Sequence, residues 1–423
     1  LHNYRFVKDD PLLDPKFDEL RHECPVFSKD DQDLLVELLR GTVGAGPGDD
    51  VLARVLASEP KPSRKLLEHI GGILEGRDEY ILLDDQLASF DRVMTEARKA
   101  LATGARSTIL IRGGPGTGKS VIALNLVSAL AREGLNVQHA TGSRAFTGSI
   151  RKIVGRRAAQ QFNFFNAYAM SEPGSIDVLI CDEAHRIRTT SVSRFTRKDQ
   201  RSGKEQVEEL LDVSKVAVFF IDDLQVVRPG EIGSADMIVD ATSQRNRPRY
   251  DFQLSAQFRC AGSDGFVSWV TDVLGIEETA NTRWTGDDGF DFRIVDTPHE
   301  LHDLIRGKVD EGVTARVMAG FCWSWSSPRP DGTLIPDVKV GDWQMPWNAR
   351  SDAGRLAPGI PKESDWAREP GGIDQVGCIY TAQGFEFDYA GVIFGRDLVW
   401  REGHGWVGQR EVSEDKVVKR TKD

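Results

Sequence analysis

Residues 107–120 read STILIRGGPGTGKS, a short apolar run that breaks into glycines and ends on lysine and serine. Gly113, Gly114, Pro115, Gly116, Thr117, Gly118, Lys119 and Ser120 fit the pattern G-x-x-x-x-G-K-[ST]. They lie between a strand-like segment and the helical pattern VIALNLVSALAREG (121–134). That is the context a phosphate-cradling loop requires. Glycines let backbone N–H groups curl around phosphate oxygens without Cβ clashes. A helix start adds unsatisfied donors and partial positive charge. Lys119 is expected to reach the β- and γ-phosphates and Ser120 to coordinate Mg²⁺, so ATP and Mg²⁺ are the expected cofactors.

Outward from this loop, strand-like and helical segments alternate. The segment LDDQLASFDRVMTEARKALATG (83–104) precedes it as a long amphipathic helix, and NVQHA (136–140), IDVLIC (176–181) and KVAVFFI (215–221) follow as strands. Such alternation predicts βαβ units and a parallel sheet covered on both faces. A looser second set follows, with strands expected at FRIV (292–295), ARVMAG (315–320), VGCIYT (376–381) and AGVIF (390–394), and helices at 262–274 and 298–310. The Trp- and Pro-rich stretch 321–370 reads as loop-dominated. The expected organisation is a helical connector over 1–79, containing RKLLEHIGGILEG (64–76), a first α/β lobe over 80–254 and a second over 255–423.

The chemistry-bearing residues sit after strand-like runs, where ligands collect at the edge of a doubly wound sheet. Asp182-Glu183-Ala184-His185 follows the run 176–181. Asp182 is expected in the Mg²⁺ shell and Glu183 as the group that orients and deprotonates an attacking water. FFIDDLQVVRPG (219–230) carries Gln225, whose amide can report on a γ-phosphate, and LSAQFRC (254–260) carries Gln257 and Arg259. An arginine at a lobe junction can clamp a phosphate bidentately. TAQGFEFDYAGVIFG (381–395) brings Gln383, Gly384, Glu386 and Asp388 just before a strand.

In this order the set resembles superfamily 1 helicases. Gln86 is similar to their adenine-reading glutamine, Gly113–Ser120 to motif I, and Thr141-Gly142-Ser143 to motif Ia. Asp182–His185 is similar to motif II, Asp223-Leu224-Gln225 to motif III, Gln257-Phe258-Arg259 to motif IV and Thr381–Asp388 to motif V. The resemblance implies two RecA-like P-loop lobes, with Arg259 on the γ-phosphate and Glu386 on the ribose. The strings AGFCWSWSSPRPDGTL (319–334), MPWNA (345–349) and VGCIYTAQGFEFDYAGVIFGRDLVWR (376–401) carry a closer resemblance, to the Schlafen group 3-like DNA/RNA helicase domain, over about residues 60–420. That family often carries a nuclease-like domain upstream, and some members sit among prokaryotic defence genes. Its motif VI, with a lobe-bridging arginine, is expected beyond Asp423. With Leu1 in first place, this suggests a fragment.

The run RIRTTSVSRFTRKDQRSGK (186–204) concentrates Arg186, Arg188, Arg194, Arg197 and Lys198, against Asp199 alone among acids. It reads either as a patch that holds a nucleic-acid backbone or as a solvated loop. Thr141 and Ser143 join it as candidate strand contacts, single-stranded DNA or RNA being the expected partner. Trp323, Trp325, Trp343, Trp347 and Trp366 could stack on bases but read rather as packing. Arg245, Arg247 and Arg249 read as structural or surface. The net charge of −11 excludes a uniformly basic coat but not a local channel. Five scattered cysteines without a C-x-x-C pair read as reduced thiols of a cytoplasmic protein. No apolar run approaches the ~18 residues of a membrane span. The expected function is an ATP-dependent DNA or RNA helicase or translocase. The alternative is a nucleotide-gated module that controls a nuclease or other partner.

Overall fold

The computed structural model describes residues 32–43, 73, 82, 84–192, 196–225, 230–255, 264–276, 283–286, 290–382 and 385–420. The chain forms two compact units, Leu1–Lys61 and Pro62–Asp423. In the first, the described element is helix α1 (Gln32–Val43). Of the expected helix at 64–76, Ile73 alone is described; it is buried in the core of the second unit. Gln257, Phe258, Arg259, Arg194, Gln383 and Gly384 lie outside the described residues.

The second unit is mixed α/β, built on a six-stranded parallel sheet. Its strands are β1 (Ser107–Gly113), β2 (Val137–Thr141), β3 (Phe162–Phe164), β4 (Ile176–Asp182), β5 (Ser214–Ile221) and β6 (Arg249–Leu254), in the order β3-β2-β4-β5-β1-β6. Parallel pairing sends every C-terminal end to one edge. Strand alternation divides the apolar residues between two cores. Ile109, Ile111, Val178, Ile180, Val216 and Val218 share one core with helices α2 (Asp84–Thr103) and α3 (Lys119–Arg132). Leu110, Leu179, Ala217 and Phe219 share the other with α5 (Gln206–Val213) and α6 (Ala235–Gln244). Helix α4 (Arg144–Ala158) links β2 to β3.

β6, missed in the sequence, is an edge strand whose residues RYDFQL are mostly half-buried or exposed, so no apolar run marks it. Beyond it come α7 (Asp264–Val273) and α8 (Pro298–Asp310), then a three-stranded parallel sheet of β7 (Ala315–Ala319), β10 (Gly377–Cys378) and β11 (Tyr389–Ile393), ordered β10-β7-β11. Two expectations fail here. Residues 292–295 form no strand: Phe292 and Ile294 are exposed and lack a sheet to pack on. The expected strand 376–381 stops at Cys378 and turns into the short helix α9 (Ile379–Ala382). Inside the loop-rich 321–370 segment, β8 (Val338–Val340) pairs antiparallel with β9 (Trp343–Met345). Trp343, Trp347 and Trp366 are buried, and the Trp323 and Trp325 indoles donate to the carbonyls of Lys339 and Asn348, so these tryptophans pack the fold.

The two sheets meet through a shared apolar core. Met318, Trp366, Ala367, Ala382 and Phe385 join the cluster of β1 and α3. Gly377 faces the Trp366 ring so closely that any Cβ would collide with it. At the rim of this joint, Lys152 Nζ on α4 binds Asp365 at 2.7 Å and Ser364 Oγ at 2.7 Å.

Candidate functional site

The site lies where β1, β2, β4 and β5 end. β1 closes on Gly113, where a Cβ would collide with the Thr117 hydroxyl. Gly116 (φ 82°) and Gly118 (φ 84°) take left-handed turns that side chains disfavour, and these turn the chain into α3 at Lys119. The loop is held from two sides. Thr117 Oγ1 donates to the Gly114 carbonyl at 3.0 Å, and buried Gln86 on α2 donates through Nε2 to the Thr117 carbonyl at 2.9 Å. Lys119 Nζ folds onto the loop itself, donating to the carbonyls of Gly113 (2.6 Å) and Gly114 (2.7 Å), with Asp222 Oδ2 of the β5 end at 3.8 Å.

Ser120 and Asp182, 62 positions apart, are in direct contact: Ser120 Oγ donates to Asp182 Oδ2 at 2.8 Å. Asp182 Oδ1 accepts the Glu183 N–H at 2.9 Å, and His139 Nε2 stands 3.5 Å from Oδ2. Burial alone would raise the Asp182 carboxyl. The His139 contact, the Ser120 hydroxyl and the Glu183 amide outweigh it and hold the group below the usual range. Glu183 behaves oppositely. Burial pushes it up, and Asp182 and Glu231 reinforce the shift against the pull of Arg186 and the Thr141 hydroxyl. Its backbone is left-handed (φ 53°), a costly conformation for a glutamate. The turn it opens is clamped by two glycines, since a Cβ on Gly142 would hit Arg186 and one on Gly233 would hit the Ala184 carbonyl.

Arg186 is buried and pairs with Glu183 through Nε at 3.2 Å. Thr141 is buried and donates to Glu183 Oε2 at 3.4 Å, and Ser143 caps α4 by accepting the Phe146 N–H. Neither hydroxyl presents itself at the surface. Arg188, Arg197 and Lys198 are exposed, Arg197 beside Asp199 at 3.2 Å. Gln225 is half-buried, with its N–H on the Asp222 carbonyl at 3.2 Å. Glu386 is half-buried between Phe385 and Phe387, which pack on the β1 core, and so lies at the joint of the two sheets. Asp388 accepts from Thr314 N at 2.7 Å and ties β11 to β7.

Within the cluster His139 carried no signal in the sequence, and Asp222 showed there only as an acid ending an apolar strand, with no role of its own. His139 reads as one more residue of a buried strand, and only the pairing of β2 with β4 brings it to Asp182. Asp222, rather than Asp223, faces Lys119. Asp223 Oδ1 instead accepts from Ala235 N at 3.0 Å, at the start of α6. Among the described residues no three His, Cys, Asp or Glu side chains form a metal cage, and no helix is long and apolar enough to cross a membrane.

Over 326 residues the chain is 26% identical to uncharacterized protein YPL245W of Saccharomyces cerevisiae, covering 68% of each. Among solved structures it is similar to AMPPCP-bound DnaA from Aquifex aeolicus (14% identity, 49% of this chain and 56% of that one, TM-score 0.25). It is likewise similar to the Pif1 helicase from Candida albicans (13% identity, 55% of each chain, TM-score 0.29). The chain thus spans little more than half of those structures, at scores too low to bear on its chemistry. The sequence family described as "Schlafen group 3, DNA/RNA helicase domain" matches residues 106–423, the whole of both sheets. The chain belongs to the Schlafen group 3 DNA/RNA helicase-domain family.

Proposed function

We propose that the chain is an ATP-dependent motor of the superfamily 1 type, acting on single-stranded DNA or RNA. The observation that carries this reading is the convergence of Lys119, Ser120, Asp182 and Glu183 around one glycine-rich turn at the C-terminal edge of the sheet. Amides of the turn and of the α3 start suit phosphate oxygens. Lys119, now on the Gly113 and Gly114 carbonyls, has phosphate oxygens as its natural alternative acceptors. A hydroxyl, one carboxylate and phosphate oxygens form the mixed oxygen shell that Mg²⁺ prefers to an all-protein cage, so Ser120 and Asp182 fit as its protein ligands. Held by Ser120 and Asp182, such an ion would supply positive charge against that developing on the phosphates.

Glu183 is the base. Its raised proton affinity suits it to accept a proton from the attacking water. Arg186 and Thr141 hold it meanwhile. Glu386 at the joint, and Arg259 by the family resemblance, are the nucleotide contacts assigned to the second lobe. Exposed Arg188, Arg197 and Lys198 remain the candidate backbone contacts, whereas the burial of Thr141, Ser143 and Arg186 favours positioning roles for those three.

ATP turnover measured with and without single-stranded DNA and RNA tests the reading. Stimulation by a polymer is expected, together with weakened ATP binding in Lys119→Ala. ATP binding with negligible turnover under all polymers favours the nucleotide-gated module instead. The apolar core that runs unbroken between the two sheets is compatible with such a switch.

A further inference from the structure

We infer that His139 is a positioning residue, aiming the Asp182 carboxylate at the metal that Ser120 and Asp182 would share. This rests on the nucleotide reading above.

His139 sits in the middle of β2, opposite Ile180, with Thr141 opposite Asp182 at the strand end. Its ring is 1% exposed and lies against Phe162 (centroids 5.4 Å apart) and Phe146 (6.1 Å). Such surroundings fix an aromatic rotamer and penalise any polar edge without a partner. Its Nε2 is buried, makes no hydrogen bond among the described residues, and stands 3.5 Å from Asp182 Oδ2. Asp182 is therefore approached from three sides: Ser120 Oγ of α3 donates to Oδ2, the Glu183 N–H donates to Oδ1, and His139 Nε2 of β2 stands 3.5 Å from Oδ2. Were the Ser120 hydroxyl to turn to a metal shared with Asp182, His139 and the Glu183 amide would be the groups left to orient the carboxylate. Groups that hold a ligating side chain in this way affect metal affinity about 10–100-fold. A histidine that merely filled the space would be replaced well by phenylalanine, because its neighbours are aromatic.

That contrast is the test. Binding of a fluorescent, non-hydrolysable ATP analogue is titrated with Mg²⁺ in the purified chain, in His139→Phe and in His139→Gln, whose amide restores a donor near Nε2. The expected result for His139→Phe is an approximately tenfold or greater rise in half-saturating Mg²⁺, with Mg²⁺-free nucleotide affinity and thermal midpoint retained. His139→Gln should recover most of the loss. A Mg²⁺ demand within about twofold of the parent in His139→Phe overturns the inference, as does equal impairment of the two variants. Should the phenylalanine variant not fold, His139→Leu against His139→Gln poses the same question. If the unsubstituted chain shows no Mg²⁺-dependent nucleotide binding, the nucleotide reading falls, and this inference with it. If it binds and His139→Phe binds alike, this inference falls alone.

Discussion

At the N-terminal end of the six-stranded sheet, buried Arg247 donates to the carbonyls of Ser107, Leu211, Ser214 and Lys215, tying the starts of β1 and β5 to the end of α5. Beside it Arg245 bridges Asp212 (2.8 Å) and Glu208 (3.0 Å). At the C-terminal end of the same strands, Glu183 is left-handed, Asp222 Oδ2 is buried without a hydrogen bond among the described residues, and Lys119 rests on carbonyls of its own loop. One end spends a guanidinium on four backbone carbonyls, leaving its Nε alone without a hydrogen bond among the described residues. The other keeps strained or under-satisfied groups in place, as sites that bind and react commonly do. Burial of a charged residue thus says little about its role until its partners are known: Arg247 and Asp182 are both buried.

The sharpest way to break this contrast is Glu183→Gln. If the C-terminal end is built for chemistry, ATP hydrolysis should fall about 10²–10⁴-fold while nucleotide binding persists. Stability should hold or improve, because burial disfavours the glutamate's charge. Single-turnover hydrolysis and a nucleotide-binding titration measure the two halves, and undiminished hydrolysis would remove Glu183 from the mechanism.

Arg247→Met is the counterpart at the other end. It strands several buried carbonyls at once and should cost about 3–4 kcal/mol of unfolding free energy, with ATP affinity in the surviving folded protein unchanged. Denaturant unfolding decides. A loss under about 1 kcal/mol would mean that the carbonyls find other donors.

These two residues also mark how far the sequence could be read. The glycine-rich turn, the DEAH string and most strands of the first sheet were legible because each rests on local order: a motif, a period, a break. Arg247 read only as part of a structural or surface patch, because its acceptors are carbonyls drawn from three elements up to 140 positions away. His139 was silent for the same reason, since nothing in a strand says which strand lies beside it. The failed strand at 292–295 shows the converse. Alternation makes a segment ready for a sheet, but a sheet must be there to receive it.

A smaller effect separates the ends by pH. Burial, with the cations of Arg186 and Lys119 nearby, lowers the His185 imidazole to about 4 against the opposing pull of Asp182. An unfolded histidine titrates near 6.5, so between about pH 4 and 6.5 the unfolded chain binds the extra proton. Stability contributed by neutral His185 is thus complete above about 6.5 and lost as pH falls toward 4, by up to roughly 3 kcal/mol. Parent and His185→Asn should differ in the slope of stability against pH in that window. Parallel curves would place the imidazole in a wetter setting than its burial indicates.

The smallest expected effect lies back at the N-terminal end. Lys215 Nζ meets Asp177 Oδ1 at 2.7 Å, on the residue whose carbonyl accepts from Arg247, yet both side chains keep water contact at 30% and 19% exposure. Burial by itself would raise the Asp177 carboxyl, but Lys215 and the Asn136 amide prevail and lower it, which looks like a strong interaction. Solvent screening argues otherwise, because an ion pair that water can reach stabilises by about 0–1 kcal/mol. Lys215→Met should therefore leave the unfolding midpoint almost unmoved, and the Asn136 N–H, which also donates to Asp177 at 2.9 Å, keeps the carboxylate from being stranded. A loss approaching that of Arg247→Met would show that the N-terminal end is one cooperative network rather than a single buried arginine with a wet rim, and the contrast between the two ends would then extend across the whole edge.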